Sequence, residues 1–159
     1  MENRSLTFFL FAFKGRMTRK EYWLNYALPR YGIYLGFIFI LGILAWILGL
    51  FSYFFAVSAV DGTGDAFPAP SGSQILGFVV VGLAMLAFTV FWIWSGLAGT
   101  VKRFHDNGHT GWLSLIYLVP YIGVFVLFIW NGFIKGKVGE NKYGLDPNNP
   151  NAEVSDVFE

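Results

Sequence analysis

The sequence contains no cysteine, which excludes disulfides, thiolate metal sites, iron–sulfur clusters and cysteine nucleophiles. Charge is scarce as well: Asp, Glu, Lys and Arg make up 13% of the chain, against roughly 25% in soluble globular domains. A net charge of +1 creates no long-range field for nucleic acid, so no nucleic-acid partner is expected. The run Gly136-Lys137-Val138-Gly139-Glu140 lacks Walker spacing and a Ser or Thr after the lysine, so it is no nucleotide loop. His105 and His109 have helical metal spacing, but Asn107-Gly108 interrupts any helix between them and no third ligand is near in sequence. No metal, cofactor or catalytic residue is assigned.

What the chain has in abundance is apolar surface. Hydrophobic residues reach 55%, with 18 Phe, 8 Tyr and 6 Trp, a composition incompatible with disorder. Three runs carry no Asp, Glu, Lys or Arg: Tyr31 to Val60, Ala66 to Val101 and Gly111 to Ile134. Each exceeds the roughly 20 residues that span a bilayer as helix, and the alternation expected of barrel strands is missing. The expectation is an all-α membrane protein with three transmembrane helices, an N-terminal interfacial segment and a polar, irregular C-terminal tail. The helices are placed at about 18–58, 74–103 and 111–134 within one integral domain, 1–147, followed by a loose tail, 148–159.

The stretch Leu6 to Phe13 is too short to span and is followed by Lys14, Arg16, Arg19 and Lys20, a pattern suited to anionic headgroups. Thr18-Arg19-Lys20-Glu21 has capping-box spacing and starts the first helix. Tyr22, Trp23 and Tyr26 then sit at headgroup depth, Pro29 is a kink point, and Arg30 snorkels to the interface. A Gly-, Pro- and Ser-rich loop with two acids, Asp61 to Ser73, joins the first two helices. With three crossings, all but Lys135, Lys137 and Lys142 of the 11 basic residues fall on the side of the N-terminus and the His105 loop. The positive-inside rule places that side in the cytoplasm and the tail outside.

Four motifs follow in order: Phe13-Lys14-Gly15-Arg16-Met17-Thr18-Arg19-Lys20-Glu21-Tyr22-Trp23; Arg103-Phe104-His105-Asp106 with Gly111-Trp112; Pro120-Tyr121-Ile122-Gly123; and Gly139-Glu140-Asn141-Lys142-Tyr143-Gly144 before Asp146-Pro147. In this order they resemble the domain-of-unknown-function 805 family, over roughly Phe8 to Pro147. The resemblance implies a small multi-pass protein of the bacterial inner (plasma) membrane, and no reaction, cofactor or substrate. The longer first span and the Asp61 to Ser73 loop depart from the family pattern.

Candidate lipid- or partner-binding residues are Arg16, Arg19, Glu21, Trp23, Arg103, His105, Asp106 and Asn141. The basic members, with Lys102, either bind a lipid phosphate or serve only to orient the chain. Gly32 and Gly36 form a GxxxG pair for packing against another helix or another copy, and Pro120 and Gly123 are further packing positions. Pro120 and Gly123 also leave a second topology open, in which helix three is a re-entrant hairpin of two arms and the tail returns to the His105 side. The function expected is non-enzymatic: binding or scaffolding through the bilayer, anionic lipid, a second copy or another membrane protein. The alternative is an oligomeric transporter or channel subunit. A lipid enzyme using His105 and Asp106 as acid and base ranks third.

Overall fold

The computed structural model describes residues 4–60 and 67–149. Part of the expected acidic loop, 61–66, and most of the expected loose tail, 150–159, lie outside the described residues. All the elements are helical. They are α1 (Leu6–Phe11), α2 (Arg19–Ile47), α3 (Leu50–Ser58), α4 (Gly72–Asp106), a 3-10 segment (Gly111–Leu118) and α5 (Ile122–Phe133).

The starts and stops follow local chemistry. The Thr18 hydroxyl accepts from the Glu21 amide at 3.2 Å and the Glu21 carboxylate accepts from the Thr18 amide at 2.9 Å, which closes the capping box at the head of α2. Ser71 and Gln74 make the equivalent exchange at the head of α4. Within α2, Pro29 has no amide hydrogen and its ring crowds the carbonyl one turn back; the chain is wound as a π-helix over Tyr22–Ala27, just ahead of it. The first helix stops earlier than its apolar run suggests, because Gly49 turns into the left-handed region at φ 68° and divides α2 from α3.

The third apolar run departs most from expectation. In place of one helix over 111–134 there is a 3-10 segment of 8 residues and an α-helix of 12. Pro120 cannot donate, and Tyr121 sits at φ 60°, a conformation no helix interior accepts. A Cβ at Gly123 would overlap the Ile116 carbonyl, so the two arms close on each other only with glycine there.

The described chain forms two compact units, one of Gly32–Phe91 and one comprising the residues before and after it. In the Gly32–Phe91 unit, Phe37 stacks on Phe88 at 3.8 Å, Tyr53 meets Phe78 edge-on at 5.7 Å, and Gln74 donates to the Gly49 carbonyl at 3.3 Å. Its outward surface is apolar, with Leu35, Phe39, Trp46 and Leu83 all exposed. Gly32 and Gly36 have open space where a Cβ would stand, so among the described residues this pair packs against no other element. Both α2 and α4 are long and apolar enough to cross a membrane, whereas α5 is shorter.

Candidate functional site: a buried cationic network at the helix ends

The other unit joins α1, the start of α2, the end of α4, the 3-10 segment, α5 and the tail. At its centre are four charged side chains nearly without solvent exposure: Arg16 (2%), Lys102 (0%), Arg103 (0%) and Asp106 (1%). Charges are buried only when paired and hydrogen-bonded, and each of these has its partners.

Asp106 is the hub. One carboxylate oxygen accepts from Arg16 Nε at 3.2 Å and the other from an Arg103 terminal nitrogen at 2.8 Å. Arg103 lies one helical turn before Asp106, so those two meet through helical spacing alone. Arg16 arrives from the connection between α1 and α2. The remaining guanidinium donors go to backbone carbonyls: Arg103 to Asn131, Ile134 and Met17, each at 2.7–2.8 Å, and Arg16 to Lys137, Gly139 and Gly144.

These bonds solve a specific problem. The last carbonyls of a helix have no intrahelical partner, and the helix dipole makes that end negative. At the end of α5 the Asn131 carbonyl is taken by Arg103, the Gly132 carbonyl by Trp23 Nε1 at 3.2 Å, the Phe133 carbonyl by Arg19 at 3.2 Å and the Ile134 carbonyl by Arg103. Side chains from the head of α2 and the end of α4 thus cap α5 as a set. Lys102 does the same for α1, its ammonium donating to the carbonyls of Phe8, Phe9 and Ala12 at 2.5–3.0 Å.

The tail is ordered against this centre. The Lys137 amide donates to the Asp106 carbonyl at 2.8 Å, and Asn141 donates to the His105 carbonyl at 2.9 Å while pairing with Gly144. A Cβ at Gly136 would overlap the Asp106 carboxylate, so glycine is required where the tail crosses it. Asp146 accepts from the Gly139 and Asn148 amides at 3.0 and 2.9 Å. Burial pushes the Asp146 carboxyl up, but those two amides and the Arg16 charge outweigh it and hold the group below the usual carboxylate range. His105 stacks on Tyr143 at 3.7 Å, and its Nδ1 bonds the Gly15 carbonyl at 3.2 Å, so that nitrogen carries the proton.

Of the residues singled out in the sequence, Arg16, Arg19, Trp23, Arg103, His105, Asp106 and Asn141 therefore meet in this unit, and Glu21 closes the cap of α2 beside them. Arg16, Lys102 and Arg103 are committed to internal partners, whereas Lys14, Arg19, Lys20, Lys135, Lys137 and Lys142 are exposed cations, Arg19 while also holding the Phe133 carbonyl. Arg19, Lys20 and Lys135 line one recess of about 570 Å³, with Thr18, Asn148 and the internally paired carboxylates Asp106 and Asp146. His105 and Asp106 share no hydrogen bond: the carboxylate belongs to the arginines and the imidazole to Gly15 and Tyr143. His109 turns away at Gly108 (φ 77°) and lies 5.5 Å from the Trp130 ring. Among the described residues no group of three or more His, Cys, Asp or Glu side chains is placed to hold a metal.

Sequence reasoning missed two roles. Lys102 reads as a lipid-phosphate ligand or an orienting charge, yet it caps α1. Arg30 reads as a snorkelling side chain, yet it is 8% exposed and lies over the Trp92 indole at 3.4 Å. Neither has a local signal, because the partners are far away in sequence.

The chain is 29% identical over 135 residues to the inner membrane protein YhaH of Escherichia coli (strain K12), covering 85% of this chain and 86% of the relative. It is 36% identical over 73 residues to the inner membrane protein YhaI of the same organism, covering 46% of this chain and 60% of the relative. No solved structure matches. A family model described as a protein of unknown function, DUF805, matches residues 10–145, a range that holds Arg16, Arg103, Asp106 and the tail carbonyls bonded to Arg16, and the chain belongs to that family of inner-membrane proteins.

Proposed function

We propose that this protein is a non-enzymatic inner-membrane component that crosses the bilayer twice and presents its basic end in the cytoplasm, where it engages anionic lipid headgroups. The observation that carries the reading is the Arg16–Asp106–Arg103 network, which ties the N-terminal segment, the end of α4 and the tail into one unit. On that basis the third apolar run enters and leaves on one side. Its arms support this, since 8 residues of 3-10 helix rise about 16 Å and 12 of α-helix about 18 Å, each short of a core about 30 Å thick.

With two crossings, all 11 Lys and Arg residues, which fall before Tyr31 or after Val101, share one side. Asp61 and Asp65 are the charges between the spans. This asymmetry is sharper than three crossings allow and favours a cytoplasmic N-terminus. Arg19, Lys20 and Lys135 around their recess then face the anionic leaflet surface, where each cation contributes about 1 kcal/mol of attraction.

The test is the lipid preference of the full-length protein in mixed bilayers, read by spin-labelled phosphatidylglycerol against spin-labelled phosphatidylcholine. Wild type should prefer phosphatidylglycerol, and Arg19→Gln/Lys20→Gln/Lys135→Gln should lose most of that preference. Equal association of the two lipids with wild type refutes the headgroup role.

A further inference from the structure

Arg30 is the buried cation that the network above does not use. It lies 11 residues into α2, about 17 Å along a helix at 1.5 Å per residue. A guanidinium stays charged in any protein setting. Its stabilisation within the chain is partial. One terminal nitrogen donates to the Trp92 carbonyl at 2.8 Å, and the plane lies on the Trp92 indole with the Tyr26 ring at 5.7 Å. Its Nε is buried with no acceptor.

No described carboxylate neutralises it. Asp106 is held by Arg16 and Arg103, Glu21 by the Thr18 amide with Arg4 at 3.7 Å, Asp146 by tail amides, and Glu140 is exposed in the tail. A buried cation without a counter-ion is costly, and a buried ionisable group ordinarily has a partner. Here the partner has to come from outside the described chain.

A cavity of about 300 Å³ adjoins the guanidinium, lined by Tyr22, Trp92, Tyr117 and Asn131 among others. That volume is at the lower end of small-molecule sites. A second orphan group sits in its wall: Asn131 Oδ1 is buried without a hydrogen bond, although Asn131 Nδ2 is satisfied by Thr100 at 3.2 Å. The Tyr22 hydroxyl, in the same wall, interacts with the Asn131 side chain. The rim is apolar and open, with Val124 56% and Phe128 49% exposed. A cationic donor and an amide acceptor sit inside, and an apolar lip outside.

We propose that this cavity binds the oxyanion of a membrane amphiphile, a phosphodiester or carboxylate seated on Arg30. A hydroxyl beside the oxyanion would donate to Asn131 Oδ1, and the acyl chain would leave past Val124 and Phe128. The site is separate from the Arg19, Lys20 and Lys135 recess and does not depend on it. Its ligand is held one per chain, unlike the exchanging lipids of a charged surface.

The test is native mass spectrometry of the detergent-solubilised full-length protein, titrated separately with dilauroyl-phosphatidylglycerol, laurate and inorganic phosphate. One equivalent of phosphatidylglycerol or laurate should be retained, and which of the two binds identifies phosphodiester or carboxylate. Arg30→Gln should weaken retention at least tenfold. Val124→Trp, at the exposed rim, should weaken it while leaving Arg30 and its contacts in place, which covers the case of an Arg30 variant that does not fold. Retention of neither anion by wild type overturns the proposal. So does saturation by inorganic phosphate at the same concentration, or unchanged retention in Val124→Trp. Loss of the retained lipid in Arg19→Gln/Lys20→Gln/Lys135→Gln, with Arg30→Gln still binding, assigns that lipid to the surface; the cavity proposal then falls and the headgroup role stands.

Discussion

Asp106 carries more than its single charge suggests, because two buried guanidiniums depend on it. Neither arginine can shed its proton, so removing the carboxylate leaves both cations without a counter-ion and loosens the carbonyls they hold. Breaking a buried pair from one side costs about 3–5 kcal/mol, whereas a surface change stays within about 0.5 kcal/mol. Asp106→Asn should therefore lower the thermal unfolding midpoint of the detergent-solubilised protein by many degrees and loosen the tail backbone, so that trypsin cuts faster at Lys137 and Lys142. Glu140→Gln, at an exposed position, should do neither. An Asp106→Asn protein as stable and as protease-resistant as wild type would show that the network is dispensable. Burial is what separates these two carboxylates, and it was only partly legible in the sequence. The Arg103 and Asp106 spacing of one helical turn was visible; the approach of Arg16 across 90 residues was not.

At the scale of the element, the legible parts were those set by neighbours in sequence. The Thr18–Glu21 capping box and the stop at Asn107-Gly108 rest on residues a turn or less apart, while the Pro120 break was legible only as the alternative to one helix over 111–134. The split of α2 from α3 was not legible, since Gly49 is one of several glycines in that run and only its φ marks it out. Nor was the docking of α1, a helix of 6 residues too short to be stable alone. Its C-terminal carbonyls end on Lys102, and bonds from a charged donor contribute about 1.5–3 kcal/mol. Lys102→Met keeps the length and removes the donor. The amides of α1 should then exchange hydrogen about ten- to a hundredfold faster, with the α4 amides around Ala98 unchanged. Uniform exchange across both helices, or no change in α1, would show that Lys102 does not hold this helix.

For the whole molecule, the decisive quantity is the number of crossings. Hydropathy counts three apolar runs, and by length the third qualifies as well as the others. What hydropathy cannot register is where a helix end finds its hydrogen-bond partners. The α5 carbonyls are met by Arg103, Trp23 and Arg19, and two of these three belong to the head of α2. A tail on the opposite side of the membrane would forfeit all of those bonds, together with the Lys137–Asp106 and Asn141–His105 contacts. The absence of cysteine makes the choice measurable without background. Single substitutions Lys14→Cys, Ser71→Cys and Glu140→Cys, all at exposed positions, can be labelled with a membrane-impermeant maleimide in right-side-out and inverted vesicles. Two crossings predict that Lys14→Cys and Glu140→Cys react together in inverted vesicles and that Ser71→Cys reacts in right-side-out ones. If Glu140→Cys instead reacts alongside Ser71→Cys, the third run crosses, the α5 carbonyls need other partners, and the single basic face dissolves.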